Sequence, residues 1–172
     1  GGKRFFVEEG DSTFRSIGSE TLKATPSKVP INLEKALATY LVGSAHLFCN
    51  EPPELCEFTS MLINPHQENN VQEGYKTLLK HHLLEWKNAL TDVNSISQLP
   101  TVFVESYKDL ISTGVSNPDE KFFLDQLRLC FKEYEVWLLN QTTSKSIKKV
   151  RWKEARLHIL IGANKLDRGF TV

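Results

Sequence analysis

Beyond residue 31, apolar positions return every three or four residues, and the breaks in that rhythm fall at proline, glycine and asparagine. Leu33, Leu37, Leu41, Ala45 and Phe48 form one stripe, widened by Ala36, Tyr40 and Leu47, with Asn32 placed to cap its first turn. Asn50-Glu51-Pro52-Pro53 ends that helix, because neither proline donates a backbone hydrogen bond and each drives its predecessor out of the helical region. Pro53 then suits the start of a short second helix carrying Leu55, Phe58 and Leu62, closed by Asn64-Pro65. A third helix is expected from about Glu68 to Thr91. Its apolar face, Val71, Tyr75, Leu78, Leu79, His82, Trp86 and Leu90, is broad enough for a central helix.

Pro100 opens a fourth helix through Phe103, Tyr107, Leu110 and Ile111 to Gly114, although Thr101–Val104 alone also reads as a strand. Asn117-Pro118-Asp119-Glu120 places a cap, a first-turn proline and two acids in order, so a fifth helix begins there. Phe123, Leu127, Cys130, Phe131, Tyr134, Trp137 and Leu138 carry its stripe to about Gln141. Thr142-Thr143-Ser144 breaks the chain before a sixth helix over about 145–161, with Ile147, Val150, Leu157 and Ile161 as its core face and Gly162 as its cap. Residues 1–30 keep no such period and read as an irregular arm, with a short strand at Arg4–Glu8 around Phe5-Phe6-Val7. The expected fold is all-α: about six helices over 31–172, in a compact bundle or a short irregular α-solenoid, behind an irregular N-terminal arm.

Composition narrows the classes. A chain of 172 residues with 40% hydrophobic residues suits one domain able to bury a sizeable core, and no run of 18 apolar residues exists for a membrane span. The Gly1-Gly2 start, with the first methionine at Met61, suggests a piece of a longer protein. Cys49, Cys56 and Cys130 cannot all pair within the chain, and each lies among apolar residues, which favours a reducing interior, nuclear or cytoplasmic.

Candidate chemistry is sparse. There is no Gly-rich phosphate loop, no Gly-x-Ser-x-Gly elbow, no His-Glu-x-x-His and no Cys-x-x-Cys, so a non-catalytic chain without a cofactor is expected. His46, Cys49, Cys56 and His66 offer four zinc-ligand types within 21 residues, but the double proline interrupts them and their spacing matches no standard finger; no metal is expected. His81 and Glu85 stand four apart for a surface pair on the third helix, and His82 falls on its apolar stripe.

Charge placement is more informative than the balanced total of 21 basic and 21 acidic residues. Segment 145–168 holds eight basic and two acidic residues, a net of +6, leaving thirteen basic and nineteen acidic residues, or −6, elsewhere. Lys145, Lys148, Lys149, Arg151, Lys153 and Arg156 around Trp152 would suit nucleic-acid contact, and would equally suit a helix docked on its own acidic domain. Phe5 and Phe6 on the arm, and Glu51, Glu54 and Glu57 near the second helix, would suit a protein or peptide partner, the acids a basic one. The expected function is a protein-protein interaction domain, a scaffold or adaptor of a larger intracellular protein, with a homodimer through the broad faces of the third and fifth helices as one form. A nucleic-acid-binding domain using 145–168 is the alternative, and a membrane partner is not expected.

Overall fold

From Leu157 to Gly162 all six residues are buried, the pattern of a strand covered on both faces. The computed structural model describes residues 27–52, 56–65, 68–139 and 150–162. Its elements run α1 (Ile31–Asn50), β1 (Thr59–Ile63), α2 (Asn69–Ala89), α3 (Thr101–Ser112), α4 (Glu120–Cys130), β2 (Tyr134–Leu139) and β3 (Leu157–Gly162). The all-α expectation is therefore wrong: four α-helices accompany a three-stranded parallel sheet among the described residues, and the domain is mixed α/β.

Two expected helices are replaced and a third is cut short. The short second helix is β1, in which Leu62 is exposed rather than part of a helical core stripe. The fifth helix stops at Cys130 instead of Gln141, and Tyr134, Val136 and Trp137, aromatic and β-branched, continue as β2. Of the basic sixth helix, the described part is a single 3-10 turn at Trp152–Glu154 followed by β3. Its 145–149 portion lies outside the described residues, as does the arm through residue 26.

The other helices follow their apolar period. Thr101–Val104 is helical, the first turn of α3. Pro30, not Asn32, precedes the first turn of α1. Asp119 rather than Asn117 caps α4, its carboxylate accepting from the Phe122 N–H at 2.9 Å. Asn117 instead accepts from the Tyr107 hydroxyl at 2.5 Å. Gly114, just past α3, has a φ of +86°, a left-handed cap that a side chain would strain.

The sheet order is β1-β3-β2, with β3 central and parallel to both neighbours. β1 and β2 lie on opposite sides of β3, and α2, α3 and α4 fall between them in the chain. One face of the sheet, with Leu157, Ile159, Ile161 and Val136, meets the helices: α2 packs on β2 and β3, while α1 packs on α3 and α4. A polar seam ties α1 to this sheet. The Ser44 and Thr59 hydroxyls lie 2.8 Å apart, Thr59 donates to the Tyr40 oxygen at 3.2 Å, and Tyr40 donates to the His158 carbonyl at 3.4 Å. Burial pushes the Tyr40 hydroxyl up to about 12, so it stays a donor. The opposite face holds Leu139, Leu160 and Val150 with Trp137 and Trp152 packed beside them. At the carboxyl end of the central strand, Gly162 lies beside Leu139 so closely that an added Cβ would stand 2.4 Å from the Leu139 carbonyl oxygen.

Candidate interaction surface

β1 is an edge strand, and its backbone divides by period two. Thr59 donates its N–H to the Arg156 carbonyl at 2.8 Å, which turns the peptide groups of Thr59, Met61 and Ile63 toward β3. The N–H and C=O of Ser60 and Leu62 therefore point away from the sheet, and neither makes a hydrogen bond to the described residues. Both side chains are exposed, Leu62 by 52 %. An edge of this kind is a template for another strand, and the strand carries no charge, proline or bulge to discourage one.

Over β3 and β2 the same sheet face is closed by segment 150–155, and His158 is its fastener. The imidazole is fully buried; its Nε2 lies 2.9 Å from the Trp152 carbonyl and 3.0 Å from that of Ala155. Both carbonyls only accept, so Nε2 carries the proton, and Nδ1 accepts the Trp137 indole N–H at 3.1 Å. Trp152 meets His158 edge-on at 5.0 Å between ring centres and stacks on Phe58 at 5.3 Å. Nothing in periodicity singled out His158. The clue available in the sequence was its place inside the apolar run Leu157–Ile161, where a buried polar group must find partners.

The residues proposed from sequence fall in different places. Glu51, just past α1, and Glu57, two residues before β1, are exposed near the amino end of β1; Glu54, Phe5 and Phe6 lie outside the described residues. Lys145, Lys148 and Lys149 also lie outside them. Arg151 is exposed and paired with Glu154 at 2.8 Å. Lys153 is exposed, whereas Trp152 is half-buried against Phe58 and His158. Half-buried Arg156 lies over the Phe48 ring, 4.1 Å from its centre, and donates to the Gln126 side-chain oxygen at 3.0 Å.

The three zinc-ligand types among the described residues, His46, Cys49 and Cys56, do not converge on a metal site. His46 is committed to the Ser116 carbonyl at 2.7 Å and to the Asn50 amide at 3.3 Å, and His66 lies outside the described residues. Burial pushes the Cys49 thiol up to about 11, with Asp119 adding to it, and burial raises Cys56 as well. Cys130 is pushed up to about 12 by burial. Such thiols remain protonated and weak as nucleophiles or ligands. On the far side, a cleft of about 390 Å³ opens beside Lys28, Glu34, Leu78, His81, His82 and Glu85. His81 lies 3.6 Å from Glu85, and His82 lies 3.4 Å from Glu34 on α1 and 3.5 Å from Glu85. Among the described residues no three His, Cys, Asp or Glu side chains converge for a metal ion, and no helix is long and apolar enough to cross a membrane.

No curated protein and no solved structure matches the chain. The pattern that defines the Z1 domain does match, from residue 32 to residue 172, which is well over half of the sequence. The chain belongs to the Z1 domain family.

Proposed function

We propose that this Z1 domain is a non-catalytic protein-interaction domain of a larger intracellular protein, and that its docking element is the outer edge of β1, to which another polypeptide adds a strand. The observation that carries the reading is the outward pair of peptide groups at Ser60 and Leu62, which no described residue hydrogen-bonds, beside an exposed leucine. Strand addition gains backbone hydrogen bonds at such an edge, and side-chain contacts at alternate positions give it selectivity. Glu51 and Glu57 border the amino end of the strand and would favour a partner bearing cations there. Nucleic-acid contact is the weaker reading: of its four described residues only Lys153 stands exposed without a partner among the described residues, while Arg151 has a carboxylate partner, Arg156 is docked on Phe48, and Trp152 packs against Phe58 and His158.

Amide exchange read residue by residue tests the proposal. Ser60 and Leu62 should exchange much faster than Met61 and Ile63 in the free domain. Octapeptides selected for binding from a phage-displayed pool should then slow Ser60 and Leu62 and lose affinity for Ser60→Pro, which removes one outward donor while leaving the ladder to β3 intact. Peptides that bind without changing either amide would overturn the edge as the docking element. Strong binding of single-stranded DNA at low salt, lost on Arg151→Glu/Lys153→Glu, would favour the nucleic-acid reading instead.

A further inference from the structure

We propose that His82 is a proton-dependent clasp between α1 and α2: as a charged ring it joins Glu34 of α1 to Glu85 of α2, and as a neutral ring it can donate to only one of them. The two ring nitrogens face different carboxylates, Nε2 at 3.4 Å from Glu34 Oε1 and Nδ1 at 3.5 Å from Glu85 Oε2. A neutral imidazole has one N–H and one lone pair, while ionised carboxylates only accept. In either tautomer, and with the ring turned either way, one carboxylate meets a lone pair. A proton on the second nitrogen turns that repulsion into a second charge-assisted contact. Nε2 is shut off from solvent and makes no hydrogen bond among the described residues, so solvent does not relieve the mismatch at that atom.

The surroundings set the sign. Side-chain exposure is 17 % at His82 and 26 % at Glu34 against 59 % at Glu85, so the contact to α1 is the less screened of the two. The charged and titratable groups around the ring are Glu34 from α1, His81 and Glu85 from α2, and Lys28 from the segment that leads into α1 and lines the same cleft. Two carboxylates therefore face His82 against one ammonium, and His81 lies beside the other oxygen of Glu85. Trp86, one turn further along α2, packs against the ring at 4.3 Å between ring centres. The clasp has two separately seated elements to hold: α1 packs chiefly on α3 and α4, α2 packs on β2 and β3, and the two helices meet across the cleft through side chains. The charged ring draws the start of α1 onto α2, and the neutral ring lets that side of the cleft loosen. The contact that the proton creates exists only in the folded chain. Its contribution to stability is present where histidine is charged and is lost as pH rises through about 5 to 8.

Urea unfolding of the whole chain and of His82→Gln, at pH 8 and at pH 5.5, tests the clasp. Glutamine keeps an amide donor and takes no charge, and the difference between the two chains cancels the titration of the other histidines. From pH 8 to pH 5.5 the unfolding equilibrium constant of the parent should fall relative to that of His82→Gln by about two- to fivefold, the range of a partly exposed ion pair. The same comparison in a Glu34→Gln background should lose most of that change, because the carboxylate on α1 is gone. Amide exchange locates the effect without a variant. The Glu34 N–H closes the first turn of α1 on the Pro30 carbonyl at 2.9 Å, and its protection, corrected for the intrinsic rate, should be higher at pH 5.5 than at pH 8 in the parent. A parent-to-variant difference equal at the two pH values, a change of opposite sign, or one that survives Glu34→Gln in full overturns the clasp. Unchanged protection of the Glu34 amide in the parent overturns it as well.

Discussion

Replacing His158 with leucine tests whether segment 150–155 is held by hydrogen bonding or merely by apolar contact. The side chain has no exposure, and its three partners are the Trp152 carbonyl at 2.9 Å, the Ala155 carbonyl at 3.0 Å and the Trp137 indole N–H at 3.1 Å. An intramolecular hydrogen bond contributes about 1 kcal/mol net, and a buried group left without its partner costs about 1–3 kcal/mol. The two carbonyls share one donor, and half-buried Trp137 can regain water in part, so these contributions do not sum fully. The expected loss is about 2–4 kcal/mol. Urea unfolding followed by far-ultraviolet dichroism measures it, with the slope against denaturant unchanged if the native surface is otherwise kept. Trp137→Phe alone should cost about 1 kcal/mol, and the double variant should lose less than the two losses combined, because the indole donor and its acceptor disappear together. A His158→Leu stability within about 0.5 kcal/mol of the parent would refute the reasoning, leaving stacking on Phe58 and apolar packing as the hold on this segment.

Other consequences follow from single residues. Gly162→Ala places a methyl 2.4 Å from the Leu139 carbonyl oxygen, so β2 and β3 must part; a loss of about 1–3 kcal/mol, read as a lower melting temperature, is expected. Asp119→Ala removes the acceptor of the Phe122 N–H and should cost about 1 kcal/mol in urea unfolding, with Asp119→Asn retaining most of it. Stability should be insensitive to the cysteines below pH 9 and fall above it. The unfolded Cys130 thiol ionises near 9.0 while the folded one holds its proton to about 12, so the unfolded state loses protons first. The slope from Cys130 is at most about 1.4 kcal/mol per pH unit, and Cys130→Ala should remove that share from an alkaline denaturation series. Labelling with a thiol reagent should be slower at Cys130 than at half-buried Cys49 and Cys56, and faster labelling of Cys130 would show that the α4 end opens readily.

Helices α1, α2, α3 and α4 were legible because three or more turns of one period leave little room for a strand. The sheet was not, and the cause lies in particular residues. Phe131, Tyr134 and Trp137 keep a spacing of three that extends the stripe of α4, yet Tyr134, Val136 and Leu138 also alternate by two. The turn at Phe131–Glu133 carries neither proline nor glycine to announce the change. In the last element, a helical stripe of Val150, Leu157 and Ile161 passes over His158, Ile159 and Leu160, whereas the continuous run from Leu157 to Ile161 is what a strand covered on both faces shows. Glu51 and Glu57 were visible as exposed acids near the second element, but the open edge beside them was not. Which side of a strand lacks a neighbour depends on the order β1-β3-β2, and that order is a property of the packed sheet.

Among the described residues the two edges of this sheet are not equivalent, and β1 is the one less guarded against strand addition. β2 carries an exposed carboxylate at Glu135, a charge of the kind that discourages strand addition. Its Trp137 and Leu139 are tied into the cover formed by segment 150–155, and α2 packs on it from the other face. β1 is tied to α1 on one face through Thr59, but Thr59-Ser60-Met61-Leu62-Ile63 is uncharged, and Ser60 and Leu62 on its other face are exposed. Protecting β1 would have required one charge at Ser60 or Leu62, both already exposed and free of core packing.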